Sequence, residues 1–491
     1  MAVETAVRER LQIRDLRDWL ELVDRLGELR VVEGAHWNRE LGGITEINNR
    51  QRGPALLFDR IQDFPPGTRI VTGTTGGARR LAATLRLGTD YDNLGLVQAM
   101  RGKPQQWEQA AHDYPPLFVD DGPVLENVLR GDQVDIFRFP APFWHDKDGG
   151  RYIGTGDFVI TRDPETGWIN CGTYRMMVHD ARSTSVHMVY GKHGRQQIER
   201  AFKRGEPFPM AVSLGHDPLL YLIAGLEIPY GMSEYNYIGA ILGEPVRVIR
   251  GEVTGLPIPA DAEIALEGWC RPGVVKNEGP FGEFTGYYSY TEAPVPVFEI
   301  ERVYFRDNPI QLGSPPGRPP HDFSYYKAVL RSAMLHDALE KSGVPGVQAC
   351  WCDEVGGSRM LLVVAIQQRY PGHARQAGVI ASQCQVGAYF GRYVIVVDED
   401  IDPSNLNDVM WAVCTRSDPE RDIDIFRRTL GSKVDPLHVT THQRLPFNSR
   451  AVIDACRPYD YLEEFPPVAE GDPAYLAGLR TKWAGLLGAG G

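Results

Sequence analysis

The feature that most constrains the fold is a change of pattern at the Pro-rich break SPPGRPPHDF, residues 314–323. Before it, from about residue 126, short alternating segments (DFVITRD, TSVHMVY, VRVIRGEV, PVFEIERVYF) are separated by Gly, Pro and Asp turns. A period of two belongs to strands with one buried face. The stretch therefore predicts a mostly antiparallel β-domain, barrel-like, with one helix embedded at QQIERAFKRG. After the break, helical segments (YYKAVLRSAMLHDALEKSG, HARQAGVIASQC, NLNDVMWAVCTR) alternate with strand runs (MLLVVAIQQ, YVIVVDEDID). That alternation predicts an α/β layer.

Upstream, residues 14–32 place Leu16, Trp19, Leu20, Leu22, Val23 and Leu26 on one helical face that Gly27 closes. ALLFDRI reads as a strand, residues 78–100 as helical, and the Pro-rich stretch 104–125 as a boundary. The 491 residues then divide into an N-terminal α/β domain over 1–115, the β-domain over 116–320 and a second α/β domain over 321–470. A tail helix over 471–491 is left to dock on the core or on a second subunit.

Charge narrows the partners. Asp and Glu total 64 against 52 Lys and Arg, a net charge of −12, and that field repels a phosphate backbone or an anionic membrane. No apolar run approaches the ~18 residues of a membrane span. The N-terminus lacks the apolar core of a secretory signal. The seven cysteines are scattered, and Cys350 and Cys352 are too close for a zinc knuckle, so reduced, buried thiols in a cytoplasmic protein are expected. GxGxxG and the Walker A pattern are both absent.

Five segments carry chemistry-bearing residues. Residues 153–193 place Asn170, Arg175, His187 and His193 around one hairpin, where each taken singly is an ordinary turn, surface or satisfied polar residue. PYGMSEYNYIG sets Glu234 between a Gly-rich turn and an aromatic strand. Asn170, His193 and Glu234 together offer N and O donors, which suit phosphate-bound Mn²⁺ or Mg²⁺ better than a closed zinc site. Glu278 and Glu283 flank the turn GPFG in an apolar run. Both are expected to have raised pKa values, useful in a general acid. GSPPGRPPHDF holds Arg318 and His321 on a stiffened loop that either positions a ligand contact or only links domains. GRYVIVVDEDIDP starts at Arg392 and ends in Asp398, Glu399 and Asp400, which could bind a cation but are more commonly solvated.

In this order, RDPETGWINCGTYRM, GKH, MSEYNYIGAILGEPV, EGPFGEFTGYY, GRPPH and YVIVVDEDID followed by MWAVCTR resemble the UbiD family of prenylated-flavin-dependent (de)carboxylases. LRDWLELVDRLGELRVV resembles that family's opening helix and strand, so the likeness spans nearly the whole chain. It implies a central split β-barrel that binds the flavin, flanked by N- and C-terminal α/β domains.

It also implies roles for individual residues. Asn170, His193 and Glu234 would bind Mn²⁺ or Mg²⁺ bridging to the phosphate of prenylated FMN, with K⁺ near Ala224, Met232 and Glu234. Gly172, Thr173, Arg175 and Lys192 would surround the cofactor, and Arg392 would lie near its phosphate. Arg175, Glu278 and Glu283 would be the catalytic set. In it, Arg175 holds the substrate carboxylate, Glu278 orients the guanidinium and Glu283 donates the proton.

The implied activity is reversible, non-oxidative decarboxylation of an aromatic or heteroaromatic, α,β-unsaturated acid, with a cofactor that comes from a flavin prenyltransferase; the tail helix points to a homodimer and the cysteines to the cytoplasm. His321, Phe323 and the loop 441–448 would complete the substrate pocket. A cinnamic-type acid is the alternative substrate. Two other classes compete: a flavin-binding subunit without lyase activity, disfavoured by the complete Arg175/Glu278/Glu283 set, and an FMN oxidoreductase, which NAD(P)H-driven flavin cycling would reveal.

Overall fold

Four β-sheets organise the computed structural model, which describes residues 11, 13–289, 291–439 and 447–487. The opening helix Leu16–Arg25 forms as its pattern demands. Asp15 caps it by accepting the N–H groups of Arg17 and Asp18, and Leu16, Trp19, Leu20, Leu22 and Val23 are buried along one face. It leads into the strand Leu29–Glu33, parallel to Ala55–Asp59.

The helical reading of 78–100 resolves into two helices, Ala78–Thr84 and Asn93–Met100. Between them Arg86 and Gly88 take positive φ, and the Asp92 side chain caps the second helix. The first sheet is completed from far along the chain. Ile310–Leu312 pairs in parallel with Arg69–Thr72, so the segment after the β-domain returns to the N-terminal layer.

The central sheet has nine strands and curls into a half-barrel. Its backbone is the antiparallel pair Ile264–Glu278 and Ala293–Phe305, whose register runs out to Glu278 opposite Ala293. Val159, Met176, Met210, Leu266, Phe298 and Val303 fill its inner face. The embedded helix His193–Lys203 packs Ile198 and Ala201 into the same core.

The C-terminal sheet carries three parallel strands, Leu361–Ile366, Tyr393–Asp398 and Phe447–Ala455, with antiparallel strands at both edges. The twenty-residue helix Asp322–Lys341 starts immediately after the Pro-rich break. The acidic turn after Tyr393–Asp398 is occupied by arginines. Arg416 reaches Asp398 at 3.0 Å and Asp400 at 2.7 Å, and Arg457 reaches Asp398 at 3.1 Å. The tail helix Pro473–Lys482 exposes Leu476, and Trp483 is exposed just beyond it. All seven cysteines are free, and no helix among the described residues is long and apolar enough to cross a membrane.

Candidate active site

A cavity of about 780 Å³, open mouth included, is lined by Arg175, His187, Lys192 and Glu283 together with the rings of Phe281, Phe284 and Phe323. Two features of the chain build its polar wall. The long strand Ile264–Glu278 delivers Glu278 at its last residue. Gly279 then adopts φ +93, which side chains disfavour, and the chain turns so that Glu283 comes back towards Arg175.

Arg175 sits in the link between the strands Ile169–Gly172 and Met176–Asp180. It donates Nε to Glu278 Oε1 at 2.8 Å and Nη2 to Glu278 Oε2 at 3.0 Å, and offers Glu283 only Nη1, at 3.3 Å. Tyr152 donates its hydroxyl to Glu278 Oε1 at 2.7 Å, and His187 Nδ1 lies 3.0 Å from Oε2. The ring of Phe281 lies 4.0 Å from that of Tyr152 and 5.5 Å from the Arg175 guanidinium carbon.

The two carboxylates therefore differ, and the expectation that both would be raised is corrected. Burial opposes ionisation of Glu278, but His187 and Arg175, by hydrogen bonds and charge, hold its carboxyl down at about 2. Burial dominates at Glu283 and raises its carboxyl, with Arg175 too weakly engaged to reverse the shift. One glutamate is held as an anion, and the other is the easier of the two to protonate.

The residues expected to hold a metal lie on neighbouring elements. Glu234 is the first residue of the helix Glu234–Leu242, not the approach to a strand, because the following aromatics pack as a helical face around the buried Tyr235, Tyr237 and Ile238. Its carboxylate accepts the Cys171 N–H at 2.6 Å, one residue from Asn170. Trp168, which immediately precedes the strand Ile169–Gly172, stacks edge-on against His193 at 5.1 Å. His193 begins the embedded helix and so lies outside the hairpin on which the sequence pattern grouped it.

Burial pushes the Glu234 carboxyl up to about 8, and no cationic side chain pairs with it among the described residues. A cation would relieve that cost. No three His, Cys, Asp or Glu side chains converge among the described residues, so the protein builds no closed cage. A carboxylate, an imidazole and an amide would make an open set for a ligand's oxygens to complete, a donor chemistry that fits phosphate-bound Mn²⁺ or Mg²⁺.

Other expected site residues divide. Thr173, Lys192 and Phe323 line the cavity. Gly172 does not, and a Cβ there would lie 2.6 Å from the Tyr174 ring, so its smallness serves packing. Ala224 ends the helix Pro218–Ala224, and Met232 lies two residues before Glu234.

His321 is not on the cavity wall. It is buried as the N-cap residue of Asp322–Lys341, its backbone N–H donating to Ser324 Oγ at 2.9 Å. Arg318 is exposed, whereas Pro316 of the same loop lines the cavity. Arg392 is also elsewhere: it pairs with Asp435 and lines a separate cavity with Arg427 and Arg450. Of the loop 441–448, residues 441–446 lie outside those described. Tyr152 was not legible beforehand, because a lone tyrosine on a short strand carries no motif and its partner is 126 residues away.

Comparison with known proteins gives the class. Models of 3-octaprenyl-4-hydroxybenzoate carboxy-lyase match throughout: the N-terminal domain over residues 20–99, the Rift-related domain over 118–319 and the C-terminal domain over 324–455. A pyrrole-2-carboxylic acid decarboxylase of Pseudomonas aeruginosa is 33% identical over 487 residues, covering 95% of this chain and 96% of its own. A phenolic acid decarboxylase of Streptomyces sp. (strain D7) is 30% identical over 452 residues, covering 90% and 92%. The UbiD-class enzyme HmfF of Pelotomaculum thermopropionicum, solved with FMN, superposes with a TM-score of 0.81 at 26% identity, covering 94% and 99%. The chain belongs to the UbiD family, and is one of its carboxy-lyases.

Proposed function

We propose that this chain reversibly decarboxylates an aromatic or heteroaromatic, α,β-unsaturated carboxylic acid, using prenylated FMN held through Mn²⁺ or Mg²⁺ and K⁺. The observation that carries the reading is the opposite bias of two carboxylates on one guanidinium, with Glu278 ionised and Glu283 raised. Asn170, His193 and Glu234 would hold the divalent ion, and Thr173 and Lys192 would border the flavin. When bound, prenylated FMN supplies the electron sink for the pair left behind by CO₂.

The chain's residues do the rest. Glu278, fixed by Tyr152 and His187, orients the guanidinium of Arg175. A protonated Glu283 releases Nη1, which can then pair with the substrate carboxylate. Once CO₂ has left, the proton on the Glu283 carboxyl goes to the ring carbon that bore it. Carboxylation is the same path reversed. Phe281, Phe284 and Phe323 give a flat, apolar wall suited to a planar ring. The names of relatives as pyrrole-2-carboxylic, phenolic and vanillic acid decarboxylases support the same substrate class. The exposed apolar tail helix is the segment we propose for self-association.

The test is expression together with a flavin prenyltransferase, followed by a screen of pyrrole, furan, indole and hydroxybenzene carboxylates for CO₂ release. Release that depends on the prenyltransferase supports the proposal. Flavin cycling by NAD(P)H with no CO₂ from any acid would overturn it.

A further inference from the structure

The Arg175 set has no positive charge to spare, since one guanidinium faces two carboxylates. Another group of cations is placed differently. Lys327, on the helix Asp322–Lys341, is 7% exposed, and no carboxylate or other acceptor hydrogen-bonds it among the described residues. Its Nζ lies 4.3 Å from the centre of the Phe323 ring, which lines the active-site cavity.

Arg359 borders the same neighbouring cavity as Lys327. Its guanidinium carbon is 5.3 Å from the centre of the Tyr389 ring, and Nη2 donates to Glu227 Oε1 at 2.9 Å. Arg331, one helical turn beyond Lys327, is held in place by the carbonyls of Ser358, at 2.9 Å, and Val386. Lys192 faces the group from the active-site side. Four basic side chains, Arg359, Lys327, Lys192 and Arg331, thus act on one carboxylate, Glu227, in a chain whose net charge is −12. Burial, then the charges of Arg359 and Lys192, push the Lys327 amine well below the usual lysine range. Like charges at i and i+4 destabilise a helix, and one carboxylate does not balance four basic side chains, so the arrangement weakens the ligand-free protein.

We propose that Lys192, on the wall of the active-site cavity, and Lys327 and Arg359, on the wall of the cavity beside it, form a second oxyanion subsite, which takes an anionic group of the bound ligand other than the carboxylate lost in the reaction. The inference rests on the proposed function, which puts a flavin and an aromatic acid in this cleft. The group is either the terminal phosphate of the flavin or a second anionic substituent on the acid.

Binding to the full-length, flavin-free protein separates this proposal from the decarboxylase reading, because no turnover is needed. FMN and riboflavin, which lacks the phosphate, are titrated against wild type, Lys327→Met and Lys327→Arg by flavin fluorescence. If the subsite takes the phosphate, Lys327→Met weakens FMN about tenfold or more, leaves riboflavin unchanged, and Lys327→Arg retains FMN binding. If it takes a substrate group, FMN binding is unchanged. Calorimetry on flavin-loaded protein then shows Lys327→Met weakening benzene-1,4-dicarboxylate by a similar factor, with benzoate unaffected. In either case the ligand-free Lys327→Met protein melts no lower than wild type. Equal weakening of FMN and riboflavin, no change in any ligand, or a lowered melting temperature without ligand overturns the subsite.

Discussion

Arg175 and Glu278 are joined by two parallel hydrogen bonds, Nε to Oε1 at 2.8 Å and Nη2 to Oε2 at 3.0 Å. The fork fixes the plane of the guanidinium. It leaves Nη1 as the one contact with Glu283, at 3.3 Å. A rigid anion on one side and a loosely held, protonatable carboxyl on the other is what binding and then protonating a carboxylate-bearing carbon requires.

Acid should unlock the fork. Glu278 is held from 4.5 down to about 2, so its contribution is fully present above the unfolded value. It is lost as pH falls from about 4.5 to about 2, and for a fully buried carboxylate amounts to on the order of 3 kcal/mol. Urea unfolding across that window should show wild type losing stability by roughly this amount more than Glu278→Gln. Parallel curves would contradict the anchor role.

Glu283 carries the opposite sign. Its raised carboxyl must be protonated to act, so decarboxylation should fall as pH rises through its folded value. A pH–rate profile of the loaded enzyme checks this. A rate flat up to alkaline pH would remove Glu283 as the acid.

Tyr152 should act through Glu278 alone. Tyr152→Phe removes a donor from a buried charged acceptor and should cost about 1.5–3 kcal/mol of stability and lower kcat more than it raises KM. Unfolding curves and steady-state kinetics on one preparation measure both. A KM effect alone would place Tyr152 in substrate binding instead.

Loss of metal and loss of flavin should occur together. Asn170→Ala or His193→Ala should lower metal content and flavin absorbance in step while the thermal melt stays cooperative, because neither residue anchors a core cluster. A variant with normal metal and normal absorbance would contradict the donor set.

The sequence revealed the sheets and not their cross-connections. The periods of two and of 3.6 foretold the central sheet and the helices after the break, because burying one face of an element is a local requirement. Ile310–Leu312 returning to the first layer is a pairing over some 240 residues that no local pattern records. Arg175, Glu278 and Glu283 were legible as residues, yet the different protonation of the two glutamates depends on Tyr152 and His187, which approach from other strands. The helix-cap position of His321 and the ion pair of Arg392 with Asp435 had no signal, because both look, in sequence, like any other polar residue. Lys327 and Arg359 carried no signal until the fold set them beside one carboxylate.

The most direct test of the account is Glu283→Gln, purified from cells that make prenylated flavin and assayed for CO₂ release from the best aromatic acid found for wild type. Turnover should fall about 10²–10⁴-fold with flavin absorbance and metal content unchanged. Wild-type turnover in that variant would contradict it.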